Sequence, residues 1–421
     1  MPPKNKSGNS IKRNLLSRFI MASGGAAGVS LANFLLALLL LSQVSPKLFG
    51  IYGFVHVLIG LGYGVSNAIF GSPLTVALNR VNQTTTGLAQ GYITWSFYFG
   101  LFSAAFIAAI IIGFGESALT AAVFSLASLL MINRWFWRSY AHAHRQPNQV
   151  VTSDCFYTAA TLAGAAILLI SDTVSITNVT LLQAVGAGLG IIPLCRGAIN
   201  LSGEMFVAAN NTLFFSGFRE HGRFALIGVI STEFTANAHV YLVTFLLGPS
   251  AYAPLAASVL FFRPVNLVMI SLSQLEKPRL AIMLRDHKIS DMLRAVSFFR
   301  SVIVAVWVGN LVVAFLVAIY FLDIFISPDH NSEIIKQALV FWSVIMGFRV
   351  LRNPKSALLQ ANGDFKALAR LMIFVACLTI PLVFIFILSL GSVWSLAGVL
   401  GGELLALVLI AQLYERRIKA L

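Results

Sequence analysis

The sequence predicts an all-α polytopic membrane protein with about 12 transmembrane helices. Of its 421 residues, 58% are hydrophobic and only 10% are charged. Soluble proteins carry about 25% charged residues, so this composition excludes a soluble globular domain as the bulk of the chain. The hydrophobic share corresponds to roughly 244 residues, close to the total that twelve spans of ~20 residues need.

The apolar runs give the predicted spans in chain order. They are 19–42, 50–78, 88–114, 118–133, 153–170, 177–194, 224–247, 251–273, 302–326, 334–348, 371–390 and 394–413. We therefore predict a basic cytoplasmic N-terminus at 1–18, a six-helix lobe at 19–200 and a cytoplasmic linker at 201–223. A second six-helix lobe at 224–413 and a cytoplasmic tail at 414–421 complete the chain.

The distribution of lysine and arginine gives the predicted orientation. Of 29 such residues, 26 lie in the two termini and in alternate connections, and the other connections hold only Lys47 and Lys336. The positive-inside rule then places both termini in the cytoplasm, as in a bacterial inner membrane protein. The net charge of +14 faces anionic membrane lipid, so it does not predict nucleic-acid binding.

A weak internal repeat supports the division into six spans plus six. A shift of 203 residues lays Pro46-Lys-Leu-Phe-Gly-Ile-Tyr over Pro249-Ser-Ala-Tyr-Ala-Pro-Leu, so the first hairpin matches the seventh and eighth spans. An even number of spans per half predicts a parallel repeat about an axis along the membrane normal.

Two charges lie near mid-depth of their predicted spans, Glu233 in 224–247 and Arg263 in 251–273. An ionisable side chain there costs several kcal/mol unless it faces a partner or a wet cavity. Two interpretations follow. The residues line a polar cavity that binds substrate, which we favour, or they form a buried ion pair that only fixes packing.

Polar residues at helical spacing accompany both charges. Asn237 and Tyr241 follow Glu233 at intervals of four, and Asn266 lies three residues after Arg263. Pro264 predicts a bend, because proline removes one backbone donor in mid-helix. Further candidate substrate-binding residues lie in the first hairpin: Asn33, His56, Tyr63 and Asn67.

Several classes of chemistry lack their residues in this sequence. Cys155, Cys195 and Cys377 have no paired spacing, so we predict neither disulfides nor a zinc site. No Walker loop is present, and no His/Asp pair predicts a sugar acyltransferase. We expect no catalytic residue, no cofactor and no metal, with proton or cation coupling possible. Residues 279–301 predict an amphipathic interfacial helix.

Two segments resemble a known family. The stretch Asn33-Phe-Leu-Leu-Ala-Leu-Leu-Leu-Leu-Ser-Gln-Val-Ser-Pro-Lys-Leu-Phe-Gly-Ile-Tyr is similar to the first hairpin of O-antigen flippases, the polysaccharide branch of the multidrug, oligosaccharidyl-lipid and polysaccharide exporter superfamily. Leu358-Leu-Gln-Ala-Asn-Gly-Asp-Phe-Lys-Ala resembles the family's inner loop between helices ten and eleven. The resemblance implies two six-helix lobes around a central cleft that opens alternately to cytoplasm and periplasm.

The resemblance also implies a substrate, a polyprenyl-pyrophosphate-linked oligosaccharide moved outward for surface polysaccharide and lipopolysaccharide synthesis, with other polysaccharide assembly proteins as partners. In related lipid II flippases an arginine on helix eight lines the cavity, and Arg263 falls there. We expect Arg263 to bind phosphate and Glu233 to orient it or to carry a proton. No charged residue lies between Phe19 and Ser42, unlike in those relatives. The alternative is a cation-coupled exporter of small drugs or metabolites on the same fold.

Overall fold

The computed structural model describes residues 7–75, 86–202 and 211–419, with the backbone alone at 7–24, 86–88 and 197–202 and at four single positions. In these ranges it contains helices and no strand. The helices are α1 Ser7–Gln43, α2 Pro46–Ser66, α3 Thr86–Gly113, α4 Ala118–Ala143, α5 Pro147–Ile170, α6 Ile176–Ser202, α7 Asn211–Gly217, α8 Arg223–Leu247, α9 Pro249–Leu260, α10 Arg263–Arg285, α11 Ile289–Tyr320, α12 Leu322–Phe325, α13 Ser332–Ala361, α14 Phe365–Leu390 and α15 Ser395–Lys419. Single π-helical turns occupy Asn67–Gly71 and Phe218–Gly222.

The multi-pass prediction is confirmed within the described ranges. Ten helices are long and apolar enough to cross a membrane, and the bent pair α9 and α10 brings the number to 11. The remaining predicted span is α8, which is not among them. It carries Glu233, Asn237 and His239 near its middle, and these polar side chains lower its mean hydropathy.

Several predicted spans end before their helices do, and two of these end just before an arginine. The predicted ends at residues 133 and 348 precede Arg134 and Arg349, but α4 continues to Ala143 and α13 to Ala361. A basic residue after an apolar run indicated the start of an inner connection. The helices continue because the aromatic and aliphatic side chains beyond those arginines, among them Phe136, are still buried.

The interfacial helix predicted at 279–301 is wrong. This segment is the end of α10, a turn at residues 286–288 and the start of α11, with His287 in the turn at φ 54°. Part of its apolar face packs against protein, since Leu280, Met292 and Val296 form one buried cluster with Leu358. Amphipathic spacing is the same for both arrangements, so the sequence pattern did not separate them.

The chain divides into two compact units, and each is described separately. The first comprises residues up to 36 and 62–223, and the second comprises 37–61 and residues from 224 onward. The outer half of the first hairpin therefore groups with the second unit. The predicted lobe boundaries stay a prediction, and part of the predicted linker, residues 203–210, lies outside the described residues, as do residues 1–6 and Arg80.

The first unit has an aromatic core. Phe70, Tyr92, Phe136 and Phe214 are almost fully buried in one cluster. Phe214 belongs to the short helix α7, and its ring stacks on Trp95 at a centroid distance of 5.8 Å. The part of the predicted linker that forms α7 is thus docked on this core.

The outer half of the first hairpin is packed closely within the second unit. A Cβ atom on Gly50 would lie only 1.9 Å from the carbonyl oxygen of Pro249, so only glycine fits there. The segment before α13 adds two polar contacts to the end of α1. The Ser327 amide donates to the Leu41 carbonyl at 3.1 Å, and His330 Nε2 lies 3.2 Å from the Val44 carbonyl.

One thiol is exposed on a helix of each unit. Cys155 lies on α5 in the first unit, and Cys377 lies on α14 in the second. Cys195, on α6, is half-buried. All three are free thiols.

The buried His330 predicts a pH dependence of stability. Burial lowers the pKa of His330 below its usual 6.5, although Asp329 opposes this shift. The folded protein then binds this proton less readily than the unfolded chain does, so its stability falls as the pH drops below that value. We expect His330→Gln to lose part of the decrease in thermal unfolding temperature that wild type shows between about pH 7.5 and about pH 5.5.

The control for this experiment is His287→Asn, which removes an exposed histidine and leaves a residue that tolerates positive φ. This variant should keep the wild-type pH dependence. Identical slopes in wild type and His330→Gln would contradict the prediction.

Candidate functional site

The helix pair α9 and α10 is broken in the middle of the predicted eighth span. The two axes meet at 59°, with Phe261 and Phe262 between them. Arg263 is the first residue of α10 and Pro264 is the second. Proline has no N–H to donate to the preceding turn, so the helix cannot continue straight. The predicted bend at Pro264 is confirmed.

A side chain from another helix supports the break. Asn310 on α11 donates its Nδ2 to the carbonyl oxygen of Phe261 at 3.0 Å. The ladder resumes when the Asn266 amide donates to the Phe262 carbonyl at 3.2 Å. A carbonyl freed by a helix break inside a membrane needs such a donor, because lipid supplies none. Asn310 therefore stabilises the backbone immediately before Arg263.

Arg263 is half-buried at the N-terminus of α10, with Tyr52 and Tyr252 as electrostatic neighbours. A cation at a helix N-terminus is unfavourable, because the helix dipole is positive at that end. Partial burial adds a desolvation cost. Both effects favour a negative group at this point, since an anion would interact with the guanidinium and with the helix end.

Glu233 forms a different cluster, on α8. Its Oε1 accepts hydrogen bonds from Asn237 Nδ2 at 2.7 Å and from the Tyr241 hydroxyl at 2.9 Å. The predicted one-sided spacing of these three residues thus brings them together. Arg263 is not among the partners of Glu233 in the described residues, so the ion pair considered from the sequence is not formed.

Aromatic rings lie next to this carboxylate cluster. The Tyr241 ring is 5.7 Å from Phe234 and 6.2 Å edge-on from Phe54. Phe54 also meets Phe245 edge-on at 5.4 Å. A carboxylate bonded only to neutral donors and flanked by aromatic rings is suited to a cation, organic or inorganic.

The remaining predicted site residues make contacts of their own. His56 in the second unit contacts its own helix, with Nδ1 2.9 Å from the Tyr52 carbonyl. Asn33 in the first unit accepts from the Tyr157 hydroxyl at 2.7 Å, and from Gln183.

Tyr63 and Asn67 also belong to the first unit. Tyr63 stacks on Trp135 with a centroid distance of 4.6 Å, and Asn67 is exposed in the π-helical turn after α2. The predicted stripe of His56, Tyr63 and Asn67 is therefore divided between the two units. The binding roles of all these residues stay predictions.

Sequence reasoning missed an ion cluster in the first unit. Asp154 on α5 is almost fully buried and contacts two arginines of α4, Arg134 Nη2 at 2.5 Å and Arg138 Nη2 at 2.9 Å. The Arg134 guanidinium also lies 4.6 Å over the Tyr157 ring, and its Nε donates to Ser153 Oγ at 3.0 Å. The two arginines were assigned to an inner connection, so their partner was not sought.

A second cluster of the same composition lies in the other unit. Glu403 on α15 is 2% exposed and contacts two arginines of α13, Arg349 Nε at 2.8 Å and Arg352 Nη2 at 3.1 Å. Gly402, the residue before Glu403, packs closely against Thr379. The missed signal was the spacing of Arg349 and Arg352, which places both on one face of a helix that continues past the predicted end.

The described residues contain no group of three or more histidine, cysteine or acidic side chains able to hold a metal ion. The ionisable groups of the interior are instead arranged as arginine–carboxylate clusters, with Glu233 and Arg263 outside them.

No protein-family model matches the sequence, and no curated protein matches it. Solved structures do match. A multidrug resistance MATE family transporter of the MOP superfamily, in an inward-facing conformation, gives a TM-score of 0.74 at 12% identity over 93% of this chain and 95% of its own. An outward-facing structure of a multidrug resistance MATE family transporter of the MOP superfamily gives a TM-score of 0.60 at 13% identity, over 96% of each chain. The eukaryotic MATE transporter AtDTX14 gives a TM-score of 0.68 at 13% identity, over 96% of this chain and 97% of its own.

At this level of identity the likeness shows the fold. The chain has the MATE transporter fold, which confirms the predicted all-α class with two lobes of six helices. The resemblance to the MOP superfamily and to its polysaccharide branch stays a prediction.

The helix break generates a prediction. Replacing Asn310 with Leu removes the donor to the Phe261 carbonyl, and an unsatisfied buried carbonyl costs about 1–3 kcal/mol. We expect a lower thermal unfolding temperature in detergent. The control is Gly309→Ala, because a Cβ at Gly309 meets no atom within 4 Å. Equal unfolding temperatures for Asn310→Leu and wild type would show that the break does not depend on this bond.

Proposed function

We propose that this chain is a secondary exporter that works by alternating access and is driven by a cation that binds at Glu233. The observation that carries the proposal is the bonding of Glu233. Within the described residues it accepts hydrogen bonds from two neutral groups and has no cationic partner. A bare carboxylate in a membrane helix is costly, and a bound proton or metal cation removes that cost.

The first candidate cargo is a small drug or metabolite. It is supported by the similar solved structures, which are multidrug resistance MATE family transporters. The aromatic rings beside Glu233 support it too, since Phe54, Phe234 and Tyr241 offer an apolar and polarisable surface to a ring-containing compound. In this proposal Arg263 selects cargo that also carries an acidic group.

The second candidate cargo is a lipid-linked oligosaccharide, and Arg263 favours it. Its guanidinium and the N-terminus of α10 together attract a pyrophosphate. Each sugar hydroxyl that leaves water without a partner costs about 2–7 kcal/mol, so polar side chains are needed on the path. The proposed setting is a bacterial inner membrane, with anionic lipid and other polysaccharide assembly proteins as partners.

The energy for either cargo comes from ion gradients in this proposal. The membrane potential supplies about 2.3 kcal/mol per charge per 100 mV, and an inward-moving cation at Glu233 uses it. An anionic cargo that leaves a negative cytoplasm gains from the same potential. In this proposal Glu233 binds the driving cation and Arg263 binds an anionic group of the cargo.

Replacing Glu233 with Gln tests the coupling. We expect Glu233→Gln to keep cargo binding but to lose transport driven by a pH or sodium gradient, by tenfold or more, because the amide cannot carry the cation's counter-charge. The measurement is gradient-driven efflux of neutral, cationic and acidic fluorescent drugs in membrane vesicles. The control is Glu333→Gln, an exposed carboxylate. Unchanged gradient dependence in Glu233→Gln rejects the coupling role.

Replacing Arg263 with Ala separates the two cargoes. If the cargo is a lipid-linked oligosaccharide, a deletion strain accumulates the sugar-linked lipid on the inner leaflet, and Arg263→Ala does not relieve this, whereas Arg263→Lys does in part. The exposed Arg300→Ala serves as the control and restores export fully. Full export by Arg263→Ala at equal protein level contradicts the second candidate.

A further inference from the structure

We propose that each unit contains a binding subsite for a phosphate-class oxyanion, at Arg138 in the first unit and at Arg352 in the second. This inference rests on the proposed export function and narrows its cargo to compounds that carry such a group. It is argued from the charge balance of the two ion clusters, which neither Glu233 nor Arg263 joins.

The first cluster has two arginines and one carboxylate, so its net charge is positive. Asp154 balances one of its two arginines, and Arg134 is the better bonded, with contacts to Asp154, Ser153 and the Tyr157 ring. Arg138 makes one hydrogen bond to Asp154 and stacks over Trp135 at 5.1 Å. Its Nε is buried and has no hydrogen-bond partner among the described residues. Arg138 is therefore the surplus cation.

The second cluster shows the same imbalance. Arg349 donates Nε to Glu403 in an aligned hydrogen bond of 2.8 Å and lies 5.7 Å from the Trp342 ring centroid. Arg352 lies 3.1 Å from the other oxygen of Glu403, but this contact is not aligned as a hydrogen bond. Among the described residues, its one further contact of this kind is 4.0 Å to the sulfur of Met372. Arg349 Nη2 is also buried and has no hydrogen-bond partner among those residues, but Arg349 makes the aligned bond to Glu403, so Arg352 is the surplus cation here.

The second arginine of each cluster lowers the stability of the fold if its only role is packing. One arginine with one carboxylate already joins the helices, and a second buried charge adds a desolvation penalty of several kcal/mol. A cation–π contact returns about 0.5–2 kcal/mol, which does not offset that penalty. An oxyanion that accepts from the surplus guanidinium restores neutrality and uses its remaining donors.

Access and placement support a binding role. The side chains of Arg138 and Arg352 are 15% and 18% exposed, so both reach the surface of their units. They lie on α4 and α13, the fourth and tenth predicted spans, which are equivalent under a repeat of six plus six. Each unit thus carries two arginines and one tryptophan on corresponding helices, whereas the carboxylate lies on the fifth predicted span in the first unit and on the twelfth in the second.

The test removes only the surplus charge. Arg138→Gln leaves the neutral Arg134–Asp154 pair, and Arg352→Gln leaves the Arg349–Glu403 pair. The probes are inorganic pyrophosphate and farnesyl pyrophosphate, titrated calorimetrically into the purified full-length protein in detergent. We expect each single variant to weaken binding about tenfold at its own subsite, and the double variant to do so at both, so that only binding at Arg263 remains. Ligand-free unfolding temperatures should equal or exceed that of wild type.

The controls separate charge and structure. Arg138→Lys keeps the charge but not the planar fork, so it should bind with intermediate affinity. Arg294→Gln removes an arginine from an exposed ion pair and should bind as wild type does. Binding of both probes indicates recognition of the free oxyanion, and binding of farnesyl pyrophosphate alone indicates a lipid-borne headgroup. Both results support the proposal.

Two outcomes overturn it. The first is failure of wild type to bind either probe. The second is unchanged pyrophosphate affinity in both glutamine variants together with lower ligand-free stability, which identifies the second arginines as structural. Intact binding without gradient-driven transport of any cargo rejects the exporter function instead and leaves the oxyanion subsites supported.

Discussion

The cost of placing charge inside a hydrocarbon layer is the constraint on which this structure depends. It is met in two ways. Asp154 and Glu403 are each held between two arginines, so the carboxylates are fully compensated. Glu233 is held only by the dipoles of an amide and a phenol, and Arg263 lies at the positive end of a helix. The first arrangement joins helices through compensated carboxylates, whereas the second holds a carboxylate that has no cationic partner among the described residues.

The separation of Glu233 and Arg263 matters for any transport function. A direct ion pair between them would cancel both charges, and neither side chain could then recruit an ion of its own. The helix break at Pro264 contributes to this separation, because it fixes the first residue of α10, and that residue is Arg263. Asn310 completes the arrangement by bonding the carbonyl at the break. The fold itself hosts many cargoes, so these side chains, and not the helix layout, carry the argument for specificity.

Much of the fold was predictable because hydropathy and proline chemistry are local signals. The apolar runs predicted the all-α multi-pass class, Pro264 predicted the bend, and four-residue spacing predicted that Asn237 and Tyr241 join Glu233. The ion clusters were not predictable in the same way. Arg134 and Arg349 follow apolar runs as connection residues do, and their partners, 20 and 54 residues later in the chain, become neighbours only through helix packing. The false interfacial helix has the related cause that an amphipathic face does not say whether lipid or protein covers it.

The free thiols on α5 and α14 are native sites for distance probes. Cys155 and Cys377 are exposed, and one lies in each compact unit. After the half-buried Cys195 is replaced by serine, nitroxide labels on the two native thiols form a single spin pair. Electron-electron dipolar spectroscopy on that pair then reads the separation of the units in each ligand state, without any engineered cysteine.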